Sequence, residues 1–146
     1  MKMKTKILTV FCSLLLLILI KGNLYSQDKP ENHLYEMNFL QVPYEEINDF
    51  LNFYETVGKP MDTENEYVLS VKVFRHAMGP VWSICFVTEY KDMEGYSAAD
   101  KRGDEIFMKM FPDKSKRDEI MKKWGGYLKG HTDALVRDNP KLEKNK

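Results

Sequence analysis

"YVLSVKVFRHAMGPVWSICFVTEY", residues 67–90, is the most strongly patterned stretch of this chain. Leu69, Val71 and Val73 alternate with Ser70, Lys72 and Phe74, the period-two signature of a strand. Past Gly79-Pro80, Ile84 and Phe86 alternate with Cys85 and Val87. The spacing predicts a hairpin. Its first arm has one mixed face, which suits an edge strand or one partly exposed. Its second arm is apolar on both faces and therefore needs cover on both. His76 and Trp82 flank the bend, where they either anchor the hairpin or form the flat wall of a ligand cleft.

Upstream, "HLYEMNFLQV" alternates Tyr35, Met37 and Phe39 against Leu34, Leu40 and Val42, and reads as an interior strand. Pro43 ends it and suits the first turn of a helix, where Glu45 and Glu46 favour the dipole. Ile47, Phe50, Leu51 and Tyr54 recur at helical spacing, and Gly58 with Pro60 predicts the stop. "MDTENE" then reads as a polar loop. Downstream, the pattern turns helical at about Ser97 or Ala98 and carries Ile106, Phe107, Met110 and Phe111 before Pro112 breaks it. A further helix steps through Ile120, Trp124, Tyr127, Leu128 and His131, with Gly125-Gly126 predicting a bend or a close approach. "ALVRD" reads as a short last strand.

The order is strand, helix, strand, strand, helix and a last short strand. Right-handed crossovers place the helices on one face of one antiparallel sheet. The other face keeps apolar residues from at least two strands, and a second copy of the chain is the economical cover. A homodimer is expected.

With these elements in place, the chain resembles the dimeric α/β-barrel superfamily, built on a ferredoxin-like α+β fold, β-α-β-β-α(-β). The likeness rests on "LYEMNFLQVPYEEINDFLNFYE" and "ICFVTEYKDMEGYSAADK" and covers most of residues 34–111. The chain is also similar to small exported proteins from bacteria of the Bacteroidetes type. The superfamily includes cofactor-independent monooxygenases, haem-degrading enzymes and proteins with no known activity. None of their active-site signatures is matched residue by residue, so no catalytic role is carried over.

The start of the chain predicts an address. "MKMKTK" supplies three lysines, and residues 7–20 are apolar apart from Thr9 and Ser13. A polar "KGNLYSQ" follows, completing a secretory signal peptide over residues 1–26. Removing it takes four of the 22 basic residues and no acid, so 18 basic residues face 22 acidic ones, a net of −4. That balance argues against nucleic acid or anionic lipid as a partner, since both reward a clustered positive surface. No membrane association is expected after cleavage. Residues 27–33 form a polar leader, 34–138 a single domain and 139–146 a polar tail. Cys85 is then the only cysteine left and sits in an apolar run, as a small buried hydrophobe would.

Chemistry-bearing residues are sparse. His33, His76 and His131 are not spaced as metal ligands, and a lone histidine is weak ground for haem. No metal and no cofactor is assigned. His131 precedes Asp133, which reads as a helix C-terminal cap or as an imidazole oriented by a carboxylate. Asp100 and Asp104 read as a solvated helix face. The aromatic stripe of Tyr54, Trp124 and Tyr127 reads as core whose tyrosines reach the rim of a cavity. The candidate ligand-binding residues are therefore His76, Trp82, Tyr54, Trp124, Tyr127 and His131. The expected ligand is a small apolar or aromatic molecule. The function expected is that of a non-catalytic binding or stress-associated module. The superfamily resemblance implies the alternative, a monooxygenase-like or haem-related enzyme.

Overall fold

The computed structural model describes residues 32–78, 82–139 and 142. The expected signal peptide, most of the leader, the Gly79-Pro80 bend and most of the tail lie outside the described residues. Strand β1 spans Leu34–Gln41, followed by a 3-10 turn over Tyr44–Glu46 and helix α1 over Ile47–Thr56. Helix α2 covers Gly58–Glu64, and strands β2 and β3 cover Ser70–Arg75 and Ile84–Tyr90. Helices α3 (Met93–Met110) and α4 (Lys114–Tyr127) lead to strand β4 (Gly130–Arg137).

The sheet runs β2-β3-β1-β4, and every neighbouring pair is antiparallel. The hairpin register pairs Val73 with Phe86 and Ser70 with Glu89, and His76 N–H donates to Ser83 O at 2.8 Å beyond the last pair. β2 is an edge strand, as its mixed face implies, and the doubly apolar β3 is central. Ser83 locks the entry to β3: its hydroxyl donates to Val42 O at 2.6 Å and accepts from Val42 N–H at 3.1 Å.

Side-chain alternation divides the sheet into two unlike faces. Leu40 of β1 with Ile84 and Phe86 of β3 packs against Ile47 and Phe50 of α1, and Trp124 and Tyr127 of α4 close over that core. A second cluster joins Leu34, Tyr90 and Ala99. The opposite face presents Tyr35, Met37 and Phe39 from β1, Cys85, Val87 and Glu89 from β3, and Phe74 from β2. Helices thus cover one face. Phe74, half-exposed at 49 %, and Val136 at 40 % belong to the other.

Four expectations are corrected. Gly58 and Pro60 restart a helix instead of ending one, so "MDTE" is helical. The ring of Pro60 falls in the first turn of α2, where a missing N–H costs no helical bond. Helix α3 begins at Met93, ahead of Ser97, because the Asp92 side chain accepts the Gly95 N–H at 2.8 Å. The last strand is eight residues long and contains His131, which is therefore not a helix cap. The helix gives way at Leu128, and Lys129 N–H donates to Gln41 O at 2.9 Å.

Gly125 and Gly126 lie within the continuous helix α4 and mark no close approach. A Cβ at either would meet nothing within 4 Å. Gly125→Ala is accordingly expected to raise stability by about 0.4–1 kcal/mol through helix propensity and a less free unfolded chain. Urea unfolding of the two proteins checks this, and a loss of stability would contradict it.

Candidate functional site

Between the helices and the sheet lies a space of two connected lobes. One, of 430 Å³, opens toward β4; the other, of 400 Å³, opens toward α3. Both are walled by Glu36, Gly58, Met61, Asp62, Tyr90 and Trp124. The strands set its floor by simple alternation. Leu34, Glu36, Asn38 and Leu40 share the inward face of β1, so two polar residues sit between two buried leucines. Thr88 and Tyr90 extend that floor from β3, and His131 and Asp133 from β4.

Helix α2 brings the roof down. A Cβ on Gly58 would lie 2.5 Å from a ring carbon of Tyr54, so only glycine lets the α1–α2 junction approach that ring. The junction sets Asp62 within 2.7 Å of the Tyr54 hydroxyl, which donates to it. On the floor the Tyr90 hydroxyl donates to Glu36 at 3.0 Å. Asn38 Nδ2 lies 3.2 Å from Glu36 and 3.0 Å from Asp133, and His131 Nδ1 lies 3.0 Å from Asp133. Asn65 fixes the far end of α2, donating to Ala99 O at 2.9 Å.

Burial pushes the Asp62 carboxyl above its ordinary range, and the Tyr54 hydrogen bond draws it partway back. Burial foremost, then the Asp62 contact, lifts the Tyr54 phenol well above its usual value. Tyr90 is raised likewise by burial and by the charge of Glu36. Near neutral pH both tyrosines are hydroxyl donors. The cavity therefore holds two tyrosine–carboxylate pairs with aromatic and thioether surface between them.

Of the residues nominated from sequence, Tyr54, Trp124 and His131 line this one cavity. Tyr127 stands behind it, packed on Phe50 at 5.5 Å and Phe53 at 5.9 Å between ring centroids. His76 and Trp82 stack at 4.8 Å on the opposite face, where Trp82 meets Phe39 edge-on. They belong to a different surface. Sequence reasoning passed over Glu36, Asp62 and Tyr90. Glu36 and Asn38 were detectable as polar residues in phase with Leu34 and Leu40. Asp62 was not, because its helix was read as loop.

The open face has its own polar end. Glu89 accepts from Ser70 Oγ at 2.5 Å and Tyr35 OH at 3.1 Å, and lies 2.6 Å from His33 Nδ1. The Ser70 bond first, then His33, holds its carboxyl below the usual range. A lowered value means the folded state favours the carboxylate. The resulting stability is complete above the ordinary glutamate value of about 4.3 and is lost as pH falls through the lower folded value. Glu89→Gln is expected to show a shallower loss of urea stability on acidification than the natural chain. Parallel acid limbs would contradict this. Cys85, buried on the same face, has its thiol raised by burial.

No family model matches this chain, and no curated protein matches it. Solved structures do. A NIPSNAP domain protein from Burkholderia xenovorans aligns over 76% of this chain and 99% of its own, at 16% identity and a TM-score of 0.57. A dimeric ferredoxin-like protein from an uncultured marine organism aligns over 82% and 98%, at 14% identity and 0.58. A DABB family protein with a ferredoxin-like fold from Mesorhizobium loti aligns over 72% and 95%, at 11% identity and 0.51. The chain has the ferredoxin-like fold. At these identities the likeness speaks for architecture alone. Among the described residues no helix is long and apolar enough to cross a membrane, and no three His, Cys, Asp or Glu side chains converge as metal ligands.

Proposed function

We propose that this chain is an exported, homodimeric small-molecule-binding protein that takes its ligand between helices and sheet. The cavity carries the reading: its lobes have the size of small-ligand sites, with apolar walls and a few convergent polar groups. The open sheet face supports the dimer, since a mostly apolar surface on two central strands favours a partner. The dimeric protein from the uncultured marine organism, of the same fold, is consistent with it. Export rests on the charged start and apolar run of residues 1–26.

Native mass spectrometry of the mature protein purified from cells tests the whole reading. The expected spectrum is a dimer retaining a small molecule. Trp124→Ala should strip that molecule, whereas Trp82→Ala and His76→Ala, on the opposite face, should keep it. A ligand-free monomer, or ligand loss in Trp82→Ala but not in Trp124→Ala, would overturn it.

A second reading, a cofactor-independent oxygenase, is favoured by one observation. His131 borders the cavity with Nδ1 held by Asp133 at 3.0 Å, the arrangement that orients an imidazole as a base. Oxygen uptake on addition of the retained molecule, abolished in His131→Ala, would replace the binding reading with this one.

A further inference from the structure

We propose that the cavity takes an organic cation, an amine or quaternary ammonium group carried on an apolar or aromatic body. The inference rests on the reading of this cavity as the ligand site and names its ligand class. Glu36 and Asp62 stand where the two lobes meet. Asp100 and Asp104 border one lobe and Asp133 the other, while no lysine or arginine is among the described residues lining either. Of the cations close by, Arg102 bonds Glu66 and Glu105 at 3.0 Å each, and Lys109 bonds Glu64 at 2.5 Å. Lys59, which lines an adjoining space together with Tyr54 and Asp62, lies 3.7 Å from Glu55. His131 is the one lining group able to carry positive charge, and it is turned to Asp133.

Asp100, Asp104 and Asp133 are exposed, but Glu36 and Asp62 are half-buried with no lysine or arginine among the described lining residues. Carboxylates so placed are costly, and a cation there offsets the cost. The raised Asp62 carboxyl is the expected mark of burial without such a partner. Tyr54 gives one proton to Asp62, and Tyr90 and Asn38 give one each to the two oxygens of Glu36. Carboxylate oxygens have further lone pairs that can accept from an ammonium group. Trp124, Tyr90 and Tyr96 line one lobe, and aromatic rings are the side chains that bind organic cations. The acids are also spread over β1, α2, α3 and β4 and do not converge as metal ligands, so a bulky organic cation fits them better than a bare ion. An anionic ligand would meet carboxylates from four elements and, among the described lining residues, His131 as the one group able to oppose its charge.

Three probes of one shape separate the possibilities: phenethylamine, 2-phenylethanol and 3-phenylpropionate, titrated calorimetrically into the mature protein at neutral pH and low salt. Phenethylamine is expected to bind about tenfold tighter than the alcohol, with the carboxylate not binding. Asp62→Asn and Glu36→Gln should each weaken the amine about fivefold or more and leave the alcohol unchanged, in variants shown folded by circular dichroism. Either isosteric variant alone suffices if the other fails to fold. Alcohol or carboxylate binding as tightly as the amine would overturn the cation while leaving the cavity standing. Binding of none of the three would overturn both this inference and the ligand site beneath it.

Discussion

Phe50→Ala is expected to bring the domain close to unfolding. Phe50 is fully buried, with its ring centroid 5.1 Å from Trp124, 5.5 Å from Tyr127 and 6.2 Å from Phe86. It is the point at which α1, α4 and β3 meet. Removing a fully buried phenyl ring costs about 3–5 kcal/mol, because transfer energy is lost and the aromatic neighbours collapse only partly into the void. Domains of this size have a total stability of about 5–15 kcal/mol, so the change takes a large share of it. Urea unfolding should show a midpoint far below that of the natural chain. A loss under about 1 kcal/mol would mean that the helices dock on the sheet through other contacts. Trp124, which borders the cavity, would also lose its backing, so the same variant should bind ligand poorly even when folded.

The second large effect concerns the face that helices leave open. Val87 of β3 pairs with Met37 of β1 on one side and with Lys72 of β2 on the other, in the middle of that face. Val87→Lys adds a charge beside an existing one, and a two-fold dimer would bury the change twice. Desolvating unpaired ammonium groups costs several kcal/mol. The dimer should therefore dissociate at concentrations where the natural protein is paired, while circular dichroism stays unchanged because Val87 is only partly buried. Sedimentation velocity reads both states. A natural protein that stays monomeric at about 100 μM, or a Val87→Lys dimer of equal tightness, would remove the sheet-to-sheet interface.

The two faces also separate two roles that sequence proximity had mixed. Phe39, Trp82 and His76 form an aromatic edge on the open face, the side proposed to pair with a second copy. Tyr54, Trp124 and His131 serve the cavity on the other. All six are aromatic residues near predicted strand or helix ends, and nothing local distinguishes them. Which side of a sheet a loop residue such as Trp82 folds onto depends on how the chain leaves the strand. Tyr127 illustrates the same point within one helix: three residues from Trp124, it backs the core and leaves the cavity wall to its neighbour.

Short-range patterning by itself determined the hairpin, the edge position of β2, the central position of β3 and the apolar character of both its faces. Those properties follow from period-two and 3.6-residue alternation, which the backbone imposes locally. The tertiary structure alone decided where the site lies. Tyr90 reaches Glu36 across 54 positions of chain, Asn38 reaches Asp133 across 95, and Asp62 meets Tyr54 only because a helix restarts at Gly58. A cavity is the space left when distant elements pack, and the charge it gathers depends on which side chains converge there; neither is written in any local stretch of residues.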